Sequence, residues 1–133
     1  MSIARTPPYV VTLQSAFDFE PTVERITQAL EARGMTIFAD IDQSAAASRA
    51  DTTLRPTRLI LFGNPKGGTP IMEANPHAAL ELPLKMVVWQ DEQGQVQVDY
   101  LDPSALLVEQ YGIDPAAAAP FQQIRLLLAK ALE

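Results

Sequence analysis

Residues 84–101 read LKMVVWQDEQGQVQVDYL, and this stretch decides the fold because it encodes two β-strands and the turn between them. Apolar and β-branched residues dominate Leu84–Gln90 and alternate with polar ones in Gln95–Leu101, which is typical of strands in a sheet. Asp91–Gly94 connects them as a four-residue loop with glycine at its last position. The segment therefore predicts a β-hairpin.

The side chains of the hairpin separate into two faces if the loop is symmetric. The face predicted to join the core carries Val87, Trp89, Val96, Val98 and Tyr100. Met86 and Val88 then lie on the opposite face, and Phe38 is a second case of an apolar residue among polar neighbours. A sheet with two apolar faces needs two covers. The second cover is either the short helices near His77 or another subunit, and the latter predicts a homodimer with Phe38, Met86 and Val88 at its interface.

The segments on either side of the hairpin predict further strands and helices. Strand patterns occur at Tyr9–Leu13, Met35–Asp42 and Thr57–Phe62. Apolar residues at helical spacing predict amphipathic helices over Pro21–Arg33 and in the C-terminal segment that follows Pro120. This order of elements predicts a single α+β domain, residues 1–133, with a largely antiparallel sheet of about five strands covered by helices.

The ends of several helices are marked by particular residue types. Gly34 and Gly112 supply the left-handed conformation that ends a helix. Asp102-Pro103 and Asp114-Pro115 each place a capping carboxylate before a proline at the first helical position. We therefore expect one helix to begin at each of these two pairs.

Composition excludes several classes of function. The 133 residues include ten Lys and Arg against sixteen Asp and Glu, for a net charge of -6, which disfavours nucleic acid as a partner. The absence of Cys excludes disulfides, thiolate nucleophiles and cysteine zinc sites. No secretory signal pattern and no apolar run of bilayer length occurs, which predicts a cytoplasmic protein with no membrane partner.

Four short phrases occur together in a particular order. They are Phe62–Pro65 at the end of a strand, Asn75-Pro76, Leu82–Leu84 at the start of the next strand, and Tyr100–Pro103 after the hairpin. In this order they resemble the domain of unknown function 302 family, small and mainly prokaryotic α+β domains. The resemblance covers about residues 9–111, whereas the helical tail 113–133 lies outside its motifs. It implies a fold and a bacterial source, and it supplies no activity.

The segment from Gly63 to Thr69 is the candidate ligand contact. Glycines expose backbone N–H groups, Lys66 adds a positive charge, and a helix could begin after the loop. The candidate binding residues there are Asn64, Lys66, Gly67 and Gly68. The alternative is an ordinary turn in which the glycines adopt positive φ. The segment lacks the Gly-Lys-Ser/Thr ending of a phosphate-binding P-loop.

His77 is the only histidine, which excludes multi-histidine metal sites within one chain and leaves no metal ligand set to assign. It is a candidate ligand-binding residue, an axial haem ligand with Met72 or Met86, or a general base. The alternative is a partly exposed histidine in a short helix after Pro76. The basic residues Arg55, Arg58 and Lys66 are expected to neutralise neighbouring acids, and the alternative is that they bind an anionic ligand.

These features leave two classes of function open. The leading prediction is a dimeric ligand-binding or interaction module that takes a small molecule, with no catalytic residue assigned. The alternative is a haem-binding protein or a small enzyme that uses His77. The position of His77 discriminates between them, because the alternative requires this side chain to lie in a cavity with polar neighbours.

Overall fold

A computed structural model of the chain describes residues 5–133, which form five strands, six α-helices and two 3-10 helices. The strands are β1 (Val10–Gln14), β2 (Thr36–Asp42), β3 (Thr57–Gly63), β4 (Leu84–Gln90) and β5 (Val96–Leu101). The α-helices are α1 (Phe19–Ala32), α2 (Gln43–Arg49), α3 (Pro65–Ala74), α4 (Pro103–Tyr111), α5 (Pro115–Ala118) and α6 (Gln123–Ala131). The 3-10 helices span Pro76–Glu81 and Ala119–Gln122.

The five strands form one antiparallel sheet in the order β1-β5-β4-β3-β2. The strand β4 is therefore central, and β1 and β2 are the edges. Helix α1 connects the two edge strands and crosses one face of the sheet, where it packs beside α6. The α+β class, the five strands and the antiparallel pairing predicted from the sequence are confirmed.

The main core lies between the sheet and the helices α1 and α6. Val23, Ile26 and Leu30 of α1 are buried there together with Ile124 and Leu128 of α6. The sheet contributes apolar side chains from three strands, namely Ile60, Phe62, Leu84, Met86, Val88, Val96, Val98 and Tyr100. A second cluster, formed by Ile71, Ala78, Leu107, Ile113 and Ala118, joins α3, the first 3-10 helix, α4 and α5.

The helix boundaries predicted at Gly34, Asp102 and Asp114 are confirmed. Gly34 has φ +77°, and the N–H of Met35 donates to the carbonyl of Leu30, so the chain turns sharply out of α1. Asp102 accepts from two backbone N–H groups of α4, and Asp114 accepts from one of α5. These local signals need no tertiary contact, which is why the sequence alone reveals them.

The assignment of faces in the hairpin is wrong for β4. Asp91 N–H donates to the carbonyl of Gln95, and Gly94 has φ +82°, so the loop has three residues and a glycine bulge instead of four. The register moves by one residue, which turns every side chain of β4 to the other face relative to β5. Met86 and Val88 are consequently in the core, about 1% and 0% exposed, and are covered by the chain's own helices. They cannot form the dimer interface assigned to them.

The segment that begins at Gly63 was predicted to form a turn, but most of it is helical. It starts α3, with Asn64 as the N-cap and Pro65 in the first turn, so the helix begins within this segment instead of after it, and Pro70 lies inside the helix. Gly67 and Gly68 are helical and are not among the residues with positive φ. The cap bond explains the difference, because an asparagine side chain that bonds the second helical N–H begins a helix despite the glycines that follow.

Candidate functional site

The four candidate binding residues lie at the start of α3, where the backbone N–H groups already donate to acceptors within the helix and its cap. The Oδ1 atom of Asn64 accepts from the N–H of Lys66 at 3.0 Å. The N–H groups of Gly67 and Gly68 donate to the carbonyl of Asn64 at 2.9 and 3.0 Å. Pro65 has no N–H to offer. The segment therefore presents no open set of backbone donors to an anion, and the Lys66 side chain is exposed.

His77 lies apart from these residues, in the first turn of the 3-10 helix Pro76–Glu81. Its backbone N–H donates to the Oδ1 of Asn75, and the residue is exposed. It lines neither of the clefts beside Asn64 nor the larger cavity on the sheet. The surroundings of His77 match the exposed surface histidine that the sequence left open as an alternative.

Two small clefts flank Asn64. One, of about 280 Å³, is lined by Phe38, Gly68, Met72 and other mainly apolar residues. The other, of about 240 Å³, includes Gly67 and runs toward α6. Phe38 belongs to an irregular stretch of β2, is 51% exposed and lies near Gly63. The structure thus brings Phe38, which the sequence assigned to a dimer interface, together with Asn64 and Gly68 of the candidate ligand site.

The basic residues predicted to neutralise acids include one clear case. Arg58 on β3 forms a two-pronged contact with Asp40 on β2, with N–O distances of 2.8 and 2.6 Å. Its Nη1 atom also reaches Glu20 of α1 at 3.3 Å. The hydrogen bonds to Asp40 raise the pKa of Arg58 further above its ordinary value. These contacts connect β2, β3 and α1, and they give Arg58 a structural role.

The face of the sheet opposite α1 and α6 carries side chains that are only half-buried or exposed, and we call it the open face. Its central part comprises Val10, Thr12, Leu59, Lys85, Val87, Trp89, Gln97, Asp99 and Leu101. The register sets these residues side by side, with Val87 between Leu59 and Asp99. Apolar and polar groups are therefore mixed on a surface that several strands build together.

A cavity of about 560 Å³ occupies the open face, and we call it the open-face cavity. The sheet residues form its floor, while Pro7, Glu81, Pro103 and Leu106 stand around its edge. The exposed surface of the lining is mostly apolar, and its charged side chains are Arg5, Glu81, Lys85 and Asp99. Its size and composition match those of pockets that bind small molecules, which enclose roughly 300–1,000 Å³.

Asp99 is the carboxylate on the floor of this cavity. Its Oδ1 accepts from Thr12 Oγ1 at 2.6 Å, and its Oδ2 accepts from the indole Nε1 of Trp89 at 3.1 Å. Both donors are neutral groups, so they orient the carboxylate without cancelling its charge. Each carboxylate oxygen can accept more than one hydrogen bond. Asp99 is thus held in one orientation and retains capacity for a donor from a ligand.

A second acid at the edge of the cavity is already engaged. The Oε2 atom of Glu81 accepts from the hydroxyl of Tyr111 at 2.6 Å. This hydrogen bond raises the pKa of the Tyr111 phenol above its usual range. Glu81 therefore holds α4 against the 3-10 helix and has less capacity than Asp99 for a ligand.

The sequence interpretation missed the open-face cavity because it placed Val87 and Trp89 in the core. The signal was present: the segment Asp91–Gln95, with glycine fourth, is typical of a three-residue hairpin loop with a bulge. That loop would have brought Trp89 and Asp99 to one face. The contribution of Thr12 from β1 could not have been found, because nothing local pairs β1 with β5.

Comparison with known proteins places the chain in a family. The family described as "Domain of unknown function DUF302" matches residues 11–131, nearly the whole chain, including the helical tail. The chain belongs to the DUF302 family. The crystal structure of an uncharacterized conserved DUF302 protein from Bacillus stearothermophilus has the same fold, with a TM-score of 0.78 and 21% identity. The alignment covers 95% of this chain and 97% of that one.

Curated relatives of this DUF302 chain are longer proteins with a different description. "Fluoride-specific ion channel FluC 1" of Brucella suis is 36% identical over 97 residues, which is 73% of this chain and 38% of the relative. The FluC 1 protein of Brucella abortus and the FluC 2 protein of Brucella melitensis match equally, over 36% of their lengths. The chain thus spans little more than a third of these relatives. Within residues 5–133, no helix is both long enough and apolar enough to cross a membrane.

Proposed function

We propose that this DUF302 chain is a binding module that holds a small organic molecule in the open-face cavity. One observation carries the proposal: a mostly apolar cavity of about 560 Å³ has an oriented carboxylate, Asp99, on its floor. Apolar walls supply affinity and a few fixed polar groups supply orientation, which is the usual design of a small-molecule site. The floor belongs to a hydrogen-bonded sheet and is therefore rigid.

The relatives support the idea of a module. A unit similar to this chain occupies about a third of proteins that are named as fluoride-specific ion channels. The remaining two thirds of those proteins have no counterpart in the aligned region. Fluoride conduction is the named property of the whole relatives, so we do not transfer it to this chain.

The haem and enzyme alternatives have less support. Both depend on His77, which is exposed and lies outside the open-face cavity. An axial haem ligand needs an apolar slot beside it, and a general base needs a substrate within hydrogen-bond reach. Met86, one of the soft ligands considered with His77, is buried in the core under α1 and α6.

We also propose that two copies of the chain associate. Phe38 is 51% exposed and Ile41 is 41% exposed on the edge strand β2. These apolar side chains are available for contact with a second copy, whereas Met86 and Val88 are not. A cytoplasmic location remains part of the proposal and is tested by fractionating cells that express the chain.

The binding proposal is tested by filling the cavity. Val87→Phe places a larger side chain on the floor, and Leu126→Phe makes the same kind of change on a residue of α6 that is 74% exposed. Trp89 is the only tryptophan and lies on the floor, so its fluorescence reports occupancy. Small aromatic compounds should change the fluorescence of the wild type and of Leu126→Phe, and should not change that of Val87→Phe. Equal responses in both variants, or no response in the wild type, would overturn the proposal.

A further inference from the structure

The floor of the open-face cavity presents three chemically different groups in a fixed order, while Arg5 and Glu81 also line the cavity. Lys85, Val87 and Trp89 follow one another on the same side of β4, two residues apart, and Asp99 lies beside Val87 on β5. Two residues along a strand span about 7 Å. The positive charge of Lys85, the negative charge of Asp99 and the aromatic ring of Trp89 therefore lie at distances that one small molecule can span.

The two charges do not neutralise each other through direct contact. In the part of the chain that the structure describes, both ion pairs involve Arg58, and neither includes Lys85 or Asp99. Lys85 is exposed, and the partners of Asp99 are the neutral donors Thr12 and Trp89. Each charge therefore remains able to meet an opposite charge on a ligand.

We infer that the ligand of this cavity is a zwitterionic amino compound with an apolar side chain, of the class of the hydrophobic amino acids. This inference rests on the proposed function. The ammonium group would donate to Asp99, because each carboxylate oxygen can accept another hydrogen bond besides the one from Thr12 or Trp89. The carboxylate would lie toward Lys85, whose flexible side chain reaches over the sheet. The apolar side chain would lie against Trp89 and Val87.

Compounds with a single charge fit this arrangement less well. An organic cation pairs with Asp99 but has no anionic group to pair with the ammonium of Lys85. An organic anion satisfies Lys85 but faces Asp99 in a protein whose net charge is -6. A zwitterion meets both charges at once, so the arrangement favours it over either analogue.

The experiment compares four probes of similar size by calorimetry and by Trp89 fluorescence. They are L-phenylalanine, phenethylamine, 3-phenylpropanoate and benzyl alcohol, which carry both charges, one charge of either sign, and none. We expect L-phenylalanine to bind more tightly than each other probe by about tenfold or more. Tight binding of benzyl alcohol or of either singly charged probe, with no preference for L-phenylalanine, would overturn the inference and leave the binding function standing. No fluorescence response to any of the four probes would overturn both.

Two variants assign the preference to the two charges. Asp99→Asn should remove the advantage of L-phenylalanine over 3-phenylpropanoate, because the ammonium then loses its anionic partner on the floor of the cavity. Lys85→Gln should remove its advantage over phenethylamine. The matched controls Glu92→Gln in the hairpin loop and Lys130→Gln on α6 lie outside the cavity and should keep both preferences. Retention of both preferences in Asp99→Asn and Lys85→Gln would show that these charges do not select the ligand.

Discussion

The indole nitrogen of Trp89 donates a hydrogen bond of 3.1 Å to the Oδ2 of Asp99 on the neighbouring strand. The two residues are diagonal neighbours, because Asp99 pairs with Val87 and Trp89 pairs with Gln97. The bond joins the only tryptophan of the chain to the carboxylate of the open-face cavity. Any change at Asp99 should therefore alter the fluorescence of Trp89.

Replacement of Asp99 by alanine should lower the free energy of unfolding by about 1 kcal/mol, since Trp89 and Thr12 both lose their acceptor. Urea denaturation measures the change. The control is Glu92→Ala in the exposed hairpin loop, which should stay within about 0.5 kcal/mol of the wild type. Equal stabilities of the two variants would contradict a structural role for these hydrogen bonds.

Replacement of Arg58 by lysine should lower the free energy of unfolding by about 1 kcal/mol. Lysine keeps the charge but cannot reproduce the two-pronged contact with Asp40, in a side chain that is only 19% exposed. Arg49→Lys on the exposed end of α2 is the matched control and should have little effect. Denaturation of both variants measures the difference, and an unchanged Arg58→Lys would show that the contact contributes nothing.

Stability should fall when the pH rises above about 10. Burial raises the pKa of the Tyr100 phenol above its ordinary value of 10.0, and the hydrogen bond to Glu81 raises the pKa of Tyr111. The unfolded chain then releases these protons at a lower pH than the folded chain, so the stabilisation is complete below pH 10 and is lost as the pH passes the raised values. Melting temperatures across this range measure the loss. Tyr100→Phe should reduce its slope, and an identical slope would contradict the assignment to Tyr100.

Hemin should produce the same absorption spectrum with the wild type and with His77→Ala. The reason is that His77 is exposed and lies outside the described cavities, where nothing encloses a macrocycle. Titration of both proteins with hemin, followed at the Soret band, makes the comparison. A Soret shift present only in the wild type would restore the haem alternative.

Homodimerisation stays a prediction, with Phe38 as the remaining assigned residue. Because half of its surface is exposed, Phe38→Ser should reduce the dimer fraction while the melting temperature of the monomer changes little. Light scattering over a range of concentrations measures the mass. A monomer mass for the wild type at every concentration would exclude the dimer.

Much of the fold was predictable because its signals are local. Gly34 ends α1, Asp102 and Asp114 begin helices, and each does so through a bond or a backbone angle within a few residues. Two local signals competed at one helix start. At Asn64 the glycines and prolines indicated a turn, but the asparagine cap and Pro65 began a helix.

The candidate site was less predictable because it depends on register and on distant strands. One residue in the hairpin loop decided whether Trp89 or Met86 faces the core. Thr12 reaches Asp99 from a strand 87 positions away in sequence. His77 and Lys66 attracted notice as isolated chemical groups, although neither lies in the open-face cavity.

The amino-acid sequence by itself determined the class of fold, the number of strands and several helix boundaries, because periodicity, capping and glycine conformation act over a few residues. Only the tertiary structure decided which face of the hairpin is covered and which groups meet there. Strand register is set by one turn together with the helices that pack on the sheet, and a shift of a single residue exchanges the two faces. That exchange placed Met86 and Val88 in the core, and it placed Trp89, Asp99 and Lys85 around one cavity.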